Sequence, residues 1–171
     1  MSASSLDTLV SALSSQDVPC ERTARSAFAE TLADHLRAPA VGVPLDDLGA
    51  SLADADVTVD PTPARLKAAQ TGVTPASFAI ADYGSVVIPD SSAGTELASL
   101  FVDRHVAVVD ARDVVPGREA AFDRFGEAFR ERGDSGIVAT GPSATADMGE
   151  LVRGAHGPSE VHVIVLEDDD E

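Results

Sequence analysis

The residues best suited to chemistry lie in polar clusters that interrupt apolar runs. One is Gly141-Pro142-Ser143-Ala144-Thr145-Ala146-Asp147, followed by Gly154-Ala155-His156-Gly157-Pro158. Gly141-Pro142 ends the strand-like run Ile137–Ala139, because proline cannot donate to a ladder and glycine adopts positive φ cheaply. Ser143 or Thr145 then suits the cap of a short helix, with Asp147 in its first turn and Gly154 at its end. Hydroxyls and free N–H groups at such a helix start would suit an oxygen-rich ligand. Asp147 fits a bracing role better than contact with an anion, since like charges repel. His156 could donate to a ligand or change charge near neutral pH; holding its own loop by a backbone hydrogen bond is an equal alternative. The other cluster, Asp82-Tyr83-Gly84-Ser85, separates the apolar runs Phe78–Ala81 and Val86–Ile88. Turn chemistry accounts for Asp82 and Ser85, and a polar loop facing a ligand cleft is the rival. Together the clusters predict one cleft formed by Asp82, Tyr83, Gly84, Ser85, Gly141, Pro142, Ser143, Thr145, Asp147, His156 and Gly157. Its expected place is the C-terminal edge of a sheet, where α/β proteins bind ligands.

The elements that must position these residues follow from periodicity. Leu6, Leu9, Val10 and Leu13 form an amphipathic stripe behind Ser4 or Ser5 as cap. Pro19 is placed to open a second helix, with Ala24, Phe28, Leu32 and Leu36 on one face. Leu45, Leu48 and Leu52 also fall at helical spacing. Val57–Val59 reads as a short strand, and Thr62-Pro63 as the start of a helix closed near Gly72. The runs around Asp82–Ser85 read as a hairpin, or as one strand bent at a bulge. Thr95 can cap a helix carrying Leu97, Leu100 and Phe101. His105–Val109 reads as a buried strand, and Phe122, Phe125 and Phe129 as the core face of a helix ending near Gly133. Val161–Leu166 is the last strand. Alternating β and α units predict an α/β three-layer sandwich, with a mostly parallel sheet and helices on both faces. The expected divisions are an N-terminal helical segment over 1–38, an α/β domain over 39–166 and a solvated, frayed acidic tail over 167–171.

Composition narrows the function. The chain has 171 residues, 44% of them hydrophobic, enough for a sizeable core. Twelve basic residues against 29 acidic ones give a net charge of −17. Dispersed acid of this density excludes nucleic acid and anionic lipid as natural partners and points to a surface adapted to high salt. The single cysteine, Cys20, excludes an internal disulfide and an iron–sulfur cluster held by this chain alone. If Cys20 lies in a first helical turn, its pKa would fall. His35, His105, His156 and His162 lack ligand spacing, so no metal is expected. No Gly-x-Gly-x-x-Gly turn or Walker-type loop is present, so no cofactor of its own is expected. With no signal peptide and no membrane-spanning run, the chain reads as cytoplasmic.

The order of these motifs resembles the LUD domain family, also called lactate utilization protein C-like. The resemblance rests on Gly72-Val73-Thr74, the Ala79-Ile80-Ala81 strand, Gly84-Ser85, the Gly141–Asp147 cluster and Gly154–Pro158 before Val161–Val165. It implies a fold similar to the NagB/RpiA/CoA transferase-like superfamily. It also implies a link to oxidation of lactate or another 2-hydroxy acid, with iron–sulfur partner subunits and a small anionic metabolite as ligand. Asp82-Tyr83 stands where the family often has Glu-Thr, and Ala144 where an arginine is frequent. The reading is a subunit without a redox group. The alternative is a stand-alone CoA-transferase-like or folate cyclo-ligase-like enzyme, for which Glu96 and Glu150 are the candidate carboxylates.

The acidic surface carries a measurable consequence. Screening the repulsion among 29 acids should raise the thermal midpoint markedly between ~0.1 M and ~2 M KCl, as the Debye length shrinks from about 10 Å to below about 3 Å. Calorimetry across that range checks it, and an unchanged midpoint would remove the salt-adaptation reading.

Overall fold

The computed structural model describes residues 4–132, 135–147 and 150–169. In chain order the elements are α1 (Ser5–Ser15), β1 (Cys20–Ala24), α2 (Phe28–Ala33), β2 (Ala40–Gly42), β3 (Thr58–Val59), α3 (Pro63–Ala68), β4 (Thr71–Pro75), β5 (Phe78–Ile80) and β6 (Ser85–Pro89). There follow α4 (Thr95–Leu100), β7 (Arg104–Asp110), β8 (Val114–Val115), α5 (Arg118–Arg132), β9 (Gly136–Ala139), β10 (Ala144–Asp147), β11 (Glu150–Arg153) and β12 (Glu160–Glu167). Six of the strands form one parallel sheet in the order β1-β12-β7-β4-β2-β3. The expected mostly parallel α/β architecture is the one observed.

Strand β7 is its centre. All seven residues of Arg104–Asp110 are buried, which is why the sequence there is a near-continuous apolar run rather than an alternating one. One face of the sheet shows Val73, Val106, Val108, Ile164 and Leu166, covered by Phe28 and Leu32 of α2 and by Leu45, Leu48 and Leu52. The opposite face shows Ala107, Val109, Val161, Val163 and Val165, covered by Leu9 and Leu13 of α1 and by Ala79, Val86 and Ile88. Those last three belong to a second sheet of order β8-β5-β6-β9. In it β5 and β6 form the hairpin that the Asp82–Ser85 turn predicts, and β9 runs antiparallel to β6. Its outer face, with Phe78, Ile80 and Val87, packs under α5.

Several expectations are corrected. Pro19 does not open a helix. Cys20–Ala24 is an edge strand, parallel to β12 and reinforced by the Arg22–Glu167 ion pair. The open edge of β12 offers this segment a ladder, which outweighs a helical stripe that continues only through the six residues of α2. Residues 20–24 are thus built into the main sheet. Leu45, Leu48 and Leu52 are buried, yet only Asp46–Leu48 forms a helical turn, stopped by Gly49 at φ 65°. The phenylalanine face of α5 is only partly core. Phe125 sets its ring edge-on to Phe78 at 5.2 Å between centroids, Phe122 is 70% exposed, and the side chain of Phe129 lies outside the described residues.

The acidic end is anchored as far as it is described. Asp168 pairs with Arg25, and the Ser26 N–H donates to the Asp169 carboxylate at 3.0 Å. Arg25 reaches the same area because it also pairs with Asp110, a carboxylate only 4% exposed at the end of β7. Hydrogen bonds from Arg112, aided by the Arg25 charge, hold the Asp110 carboxyl below the usual range.

Gly72 does not stop α3; it lies within β4, where α4 crosses the strand. A Cβ there would come within 1.9 Å of the Ala98 carbonyl oxygen. Gly72→Ala should therefore push α4 off the sheet and cost about 1–3 kcal/mol, the usual range for overpacking. Chemical denaturation would measure it, and a neutral result would show that α4 is free to shift.

Candidate functional site

The predicted helix after Gly141 is instead a β-hairpin. Ala144–Asp147 pairs antiparallel with Glu150–Arg153. A helix over this stretch would be about three turns with Gly149 inside it and no apolar face against the core, which disfavours it. Leu151 and Val152 are exposed. The hairpin base joins the two motif segments directly. The Ser143 N–H donates to the Pro158 carbonyl at 2.9 Å, and the Gly154 N–H donates to the Ser143 carbonyl at 2.9 Å. Gly157 packs closely on Ser143, where a Cβ would lie 3.3 Å from Cβ of Ser143 and could fit only if Ser143 shifted slightly.

Around this base lies a cavity of about 150 Å³. Gly141, Ser143, His156 and Gly157 line it from the motif segments, Ser99 and Leu100 from α4, and His105 and Val161 from the main sheet. Ile88, Ile137 and Ala139 close it from the second sheet. It therefore sits in the seam between the two sheets. His105 and Val161 stand at the beginnings of β7 and β12, so the edge is the N-terminal one and not the expected C-terminal one. The reason is connectivity: His156-Gly157-Pro158 is the entry to β12, and an entry loop lies at a strand's N-terminal end. Among the described residues the Ser143 hydroxyl and the His156 ring meet no hydrogen-bond partner, so both remain available to a ligand.

The other predicted residues fall elsewhere. Ala81–Tyr83 makes one helical turn, and Gly84 follows at φ 59° with its α-carbon against the backbone of α1. The Gln16 amide donates to the Tyr83 carbonyl at 2.8 Å. Asp82 lies against Gly117, and the Tyr83 side chain is exposed. None of Asp82, Tyr83 and Gly84 lines the cavity. Ser85 links the two stretches indirectly: its buried hydroxyl shares a 2.6 Å hydrogen bond with Thr140, the residue before Gly141. Pro142 lines an adjoining cavity instead. Thr145 sits opposite Val152 in the hairpin, and Asp147 opposite Glu150, with the Asp147 side chain outside the described residues. Glu96 and Glu150 are exposed and away from the cavity.

His105 is the cavity residue that pattern reading assigns to the core alone. It is fully buried and shares a 2.8 Å hydrogen bond between Nε2 and the Thr74 hydroxyl. Burial pulls its pKa down to about 4, so the ring is neutral at pH 7. The available signal is the one titratable residue inside His105-Val106-Ala107-Val108-Val109. Cys20 begins a strand, not a helix, and burial pushes its thiol up to about 11, making it a poor nucleophile. Among the described residues no group of three or more His, Cys, Asp or Glu is arranged to hold a metal ion. No helix among them is long and apolar enough to cross a membrane.

Comparison with known proteins places this arrangement. The family model of the LUD domain matches residues 26–166. The chain belongs to the LUD domain family. This LUD domain is 31% identical over 111 residues to a protein of Bacillus licheniformis named lactate utilization protein C, covering 61% of the chain and 45% of that relative. The chain thus spans less than half the length of that relative. Among solved structures, a DUF162 family protein from Deinococcus radiodurans superposes with a TM-score of 0.73 over 95% of this chain and 96% of that one, at 21% identity. That likeness establishes the shared fold.

The buried histidines set the acid response of this LUD domain. His105 and the half-buried His162 both have pKa values lowered to about 4 from 6.5, by burial first. A folded-state pKa below the unfolded one means that the unfolded chain binds protons first. Stability should therefore be complete above pH ~6.5 and fall as pH drops towards 4. His105 contributes on the order of 3 kcal/mol across that window. Denaturant titrations between pH 7 and 4.5 should show the loss, and His105→Gln should flatten the slope.

Proposed function

We propose that this LUD domain serves lactate or 2-hydroxy acid utilisation as a ligand-binding subunit without a redox group, working alongside iron–sulfur partner subunits. The observation that carries the reading is the cavity at the base of the hairpin. Its about 150 Å³ is well below the ~300–1,000 Å³ of sites for drug-sized ligands, which suits an acid of a few carbons. Its walls are mostly apolar, while the Ser143 and Ser99 hydroxyls and the His105 and His156 rings supply hydrogen-bonding groups for a carboxylate and a hydroxyl. The relative named lactate utilization protein C supports the substrate class. Oxidation of a 2-hydroxy acid needs an electron acceptor, and one cysteine cannot ligate a cluster, so an iron–sulfur acceptor would belong to another chain.

The stand-alone CoA-transferase-like or folate cyclo-ligase-like reading gains nothing from the geometry, because Glu96 and Glu150 lie outside the cavity. Calorimetric titration of the full chain with lactate and with pyruvate tests the proposal. Saturable binding is expected, weakened at least tenfold in Ser143→Ala combined with His156→Ala while the circular dichroism spectrum is unchanged. Absence of binding to either acid, together with no association with a cluster-bearing subunit, would overturn it.

A further inference from the structure

Thr74 and His105 stand on neighbouring strands, on the sheet face that meets the second sheet. Thr74 is wholly buried, and among the described residues its hydroxyl has one hydrogen-bond partner, Nε2 of His105 at 2.8 Å. That fixes the direction of the bond. Donation from Thr74 to Nε2 satisfies both groups. The reverse would leave the hydroxyl proton without an acceptor inside the core, at a cost of about 1–3 kcal/mol. Nε2 is therefore the bare nitrogen, and the ring proton is on Nδ1. Burial draws the pKa of this ring down to about 4, so the neutral form with that tautomer is the one present at pH 7.

Nδ1 of His105 has no partner among the described residues, and unlike Nδ1 of His162 it is not sealed in the protein. The ring is otherwise enclosed and lines the cavity of about 150 Å³, so Nδ1–H is a donor turned to that space.

Ser99 supplies the opposite group. Its hydroxyl donates to the Glu96 carbonyl at 2.8 Å, which uses its only proton and leaves lone pairs for the cavity it lines. Helix α4 brings it to the same wall as His105. The Ala98 carbonyl lies over Gly72, and Gly72 is the register partner of His105. The wall thus offers one donor and one acceptor whose roles are set from behind. A hydroxyl oxygen can accept from the first and donate to the second, whereas a keto oxygen can only accept.

We infer that this wall selects the hydroxy form of the ligand: the 2-hydroxyl accepts from Nδ1–H of His105 and donates to the Ser99 oxygen, with Thr74 as the positioning residue that holds the ring in its donating tautomer. The inference rests on the 2-hydroxy acid reading given above and names the redox state of the acid that the cavity takes. A 2-keto acid would set its carbonyl oxygen against the Ser99 lone pairs, and a site built to hydrogen-bond a hydroxyl rejects an analogue that lacks it.

Nitrogen-15 spectra of the full chain and calorimetric titration test it together. The His105 ring is expected to show the Nδ1–H tautomer. Lactate should bind at least tenfold more tightly than pyruvate, and Ser99→Ala should erase that preference with the circular dichroism spectrum unchanged. Thr74→Val should move the ring proton towards Nε2 and weaken lactate binding, while Thr74→Ser, which keeps the hydroxyl, should restore both. An Nε2–H tautomer in the unaltered chain, a ring proton unmoved in Thr74→Val, equal affinity for the two acids, or a lactate preference that survives Ser99→Ala would each overturn the inference and leave the ligand-binding reading standing. Binding of neither acid would overturn both.

Discussion

Strand β7 is buried on both faces and bonded on both edges, and the rest of the chain is arranged to satisfy that condition. A parallel sheet has no solvated face, so two apolar surfaces must be covered at once. One receives α2 and the leucines of the Leu45–Leu52 segment. The other receives α1 and, beside it, a whole second sheet. The candidate site follows from that unequal solution. Where two sheets with different strand directions meet, their ends diverge, and the seam that opens is lined by both. The cavity with Ser143 and His156 is that seam, roofed by α4 and by the base of the β10–β11 hairpin.

The scarce cations are placed at the sheet's ends. Arg25 and Arg112 close on Asp110 where β7 finishes, and Arg37 and Arg104 close on Glu160 where β12 begins. Arg22 meets Glu167 across the β1–β12 edge. A chain with 29 acids and 12 bases has cations for few of its carboxylates, and these go where strand termini would otherwise leave charge against the core. Isolated exposed pairs contribute little. A carboxylate as buried as Asp110 is different, because removing its partners would leave an uncompensated buried charge.

Much of this was legible in the residues. β7 and β12 stand out as branched apolar runs, the β5–β6 hairpin as a turn between two such runs, and α1 as a stripe behind a serine cap. The grouping of Gly141, Ser143, His156 and Gly157 was also readable, because both segments carry turn residues beside strands. What escaped depends on pairing partners distant in sequence. Cys20–Ala24 becomes a strand only because β12 offers an edge, and Ala144–Arg153 a hairpin only because its halves bond to each other. The edge at which the cavity lies depends on β9 joining the second sheet, a pairing that no local pattern carries. His105 was legible as core, and its second role depends on where the seam opens.

The contacts of Asp168 with Arg25 and of Asp169 with Ser26 tie the end of β12 to the start of α2. They lie at the C-terminal edge of the sheet, while both cavities open beside the first residues of β7 and β12. The seven paired positions between those edges amount to about 20 Å of extended chain. A label carried at Asp168 or Asp169 would therefore sit on the far side of the sheet from both cavities. The same edge makes a natural point for immobilising the protein on a sensor surface, since tethering there leaves the cavity-bearing edge turned outward.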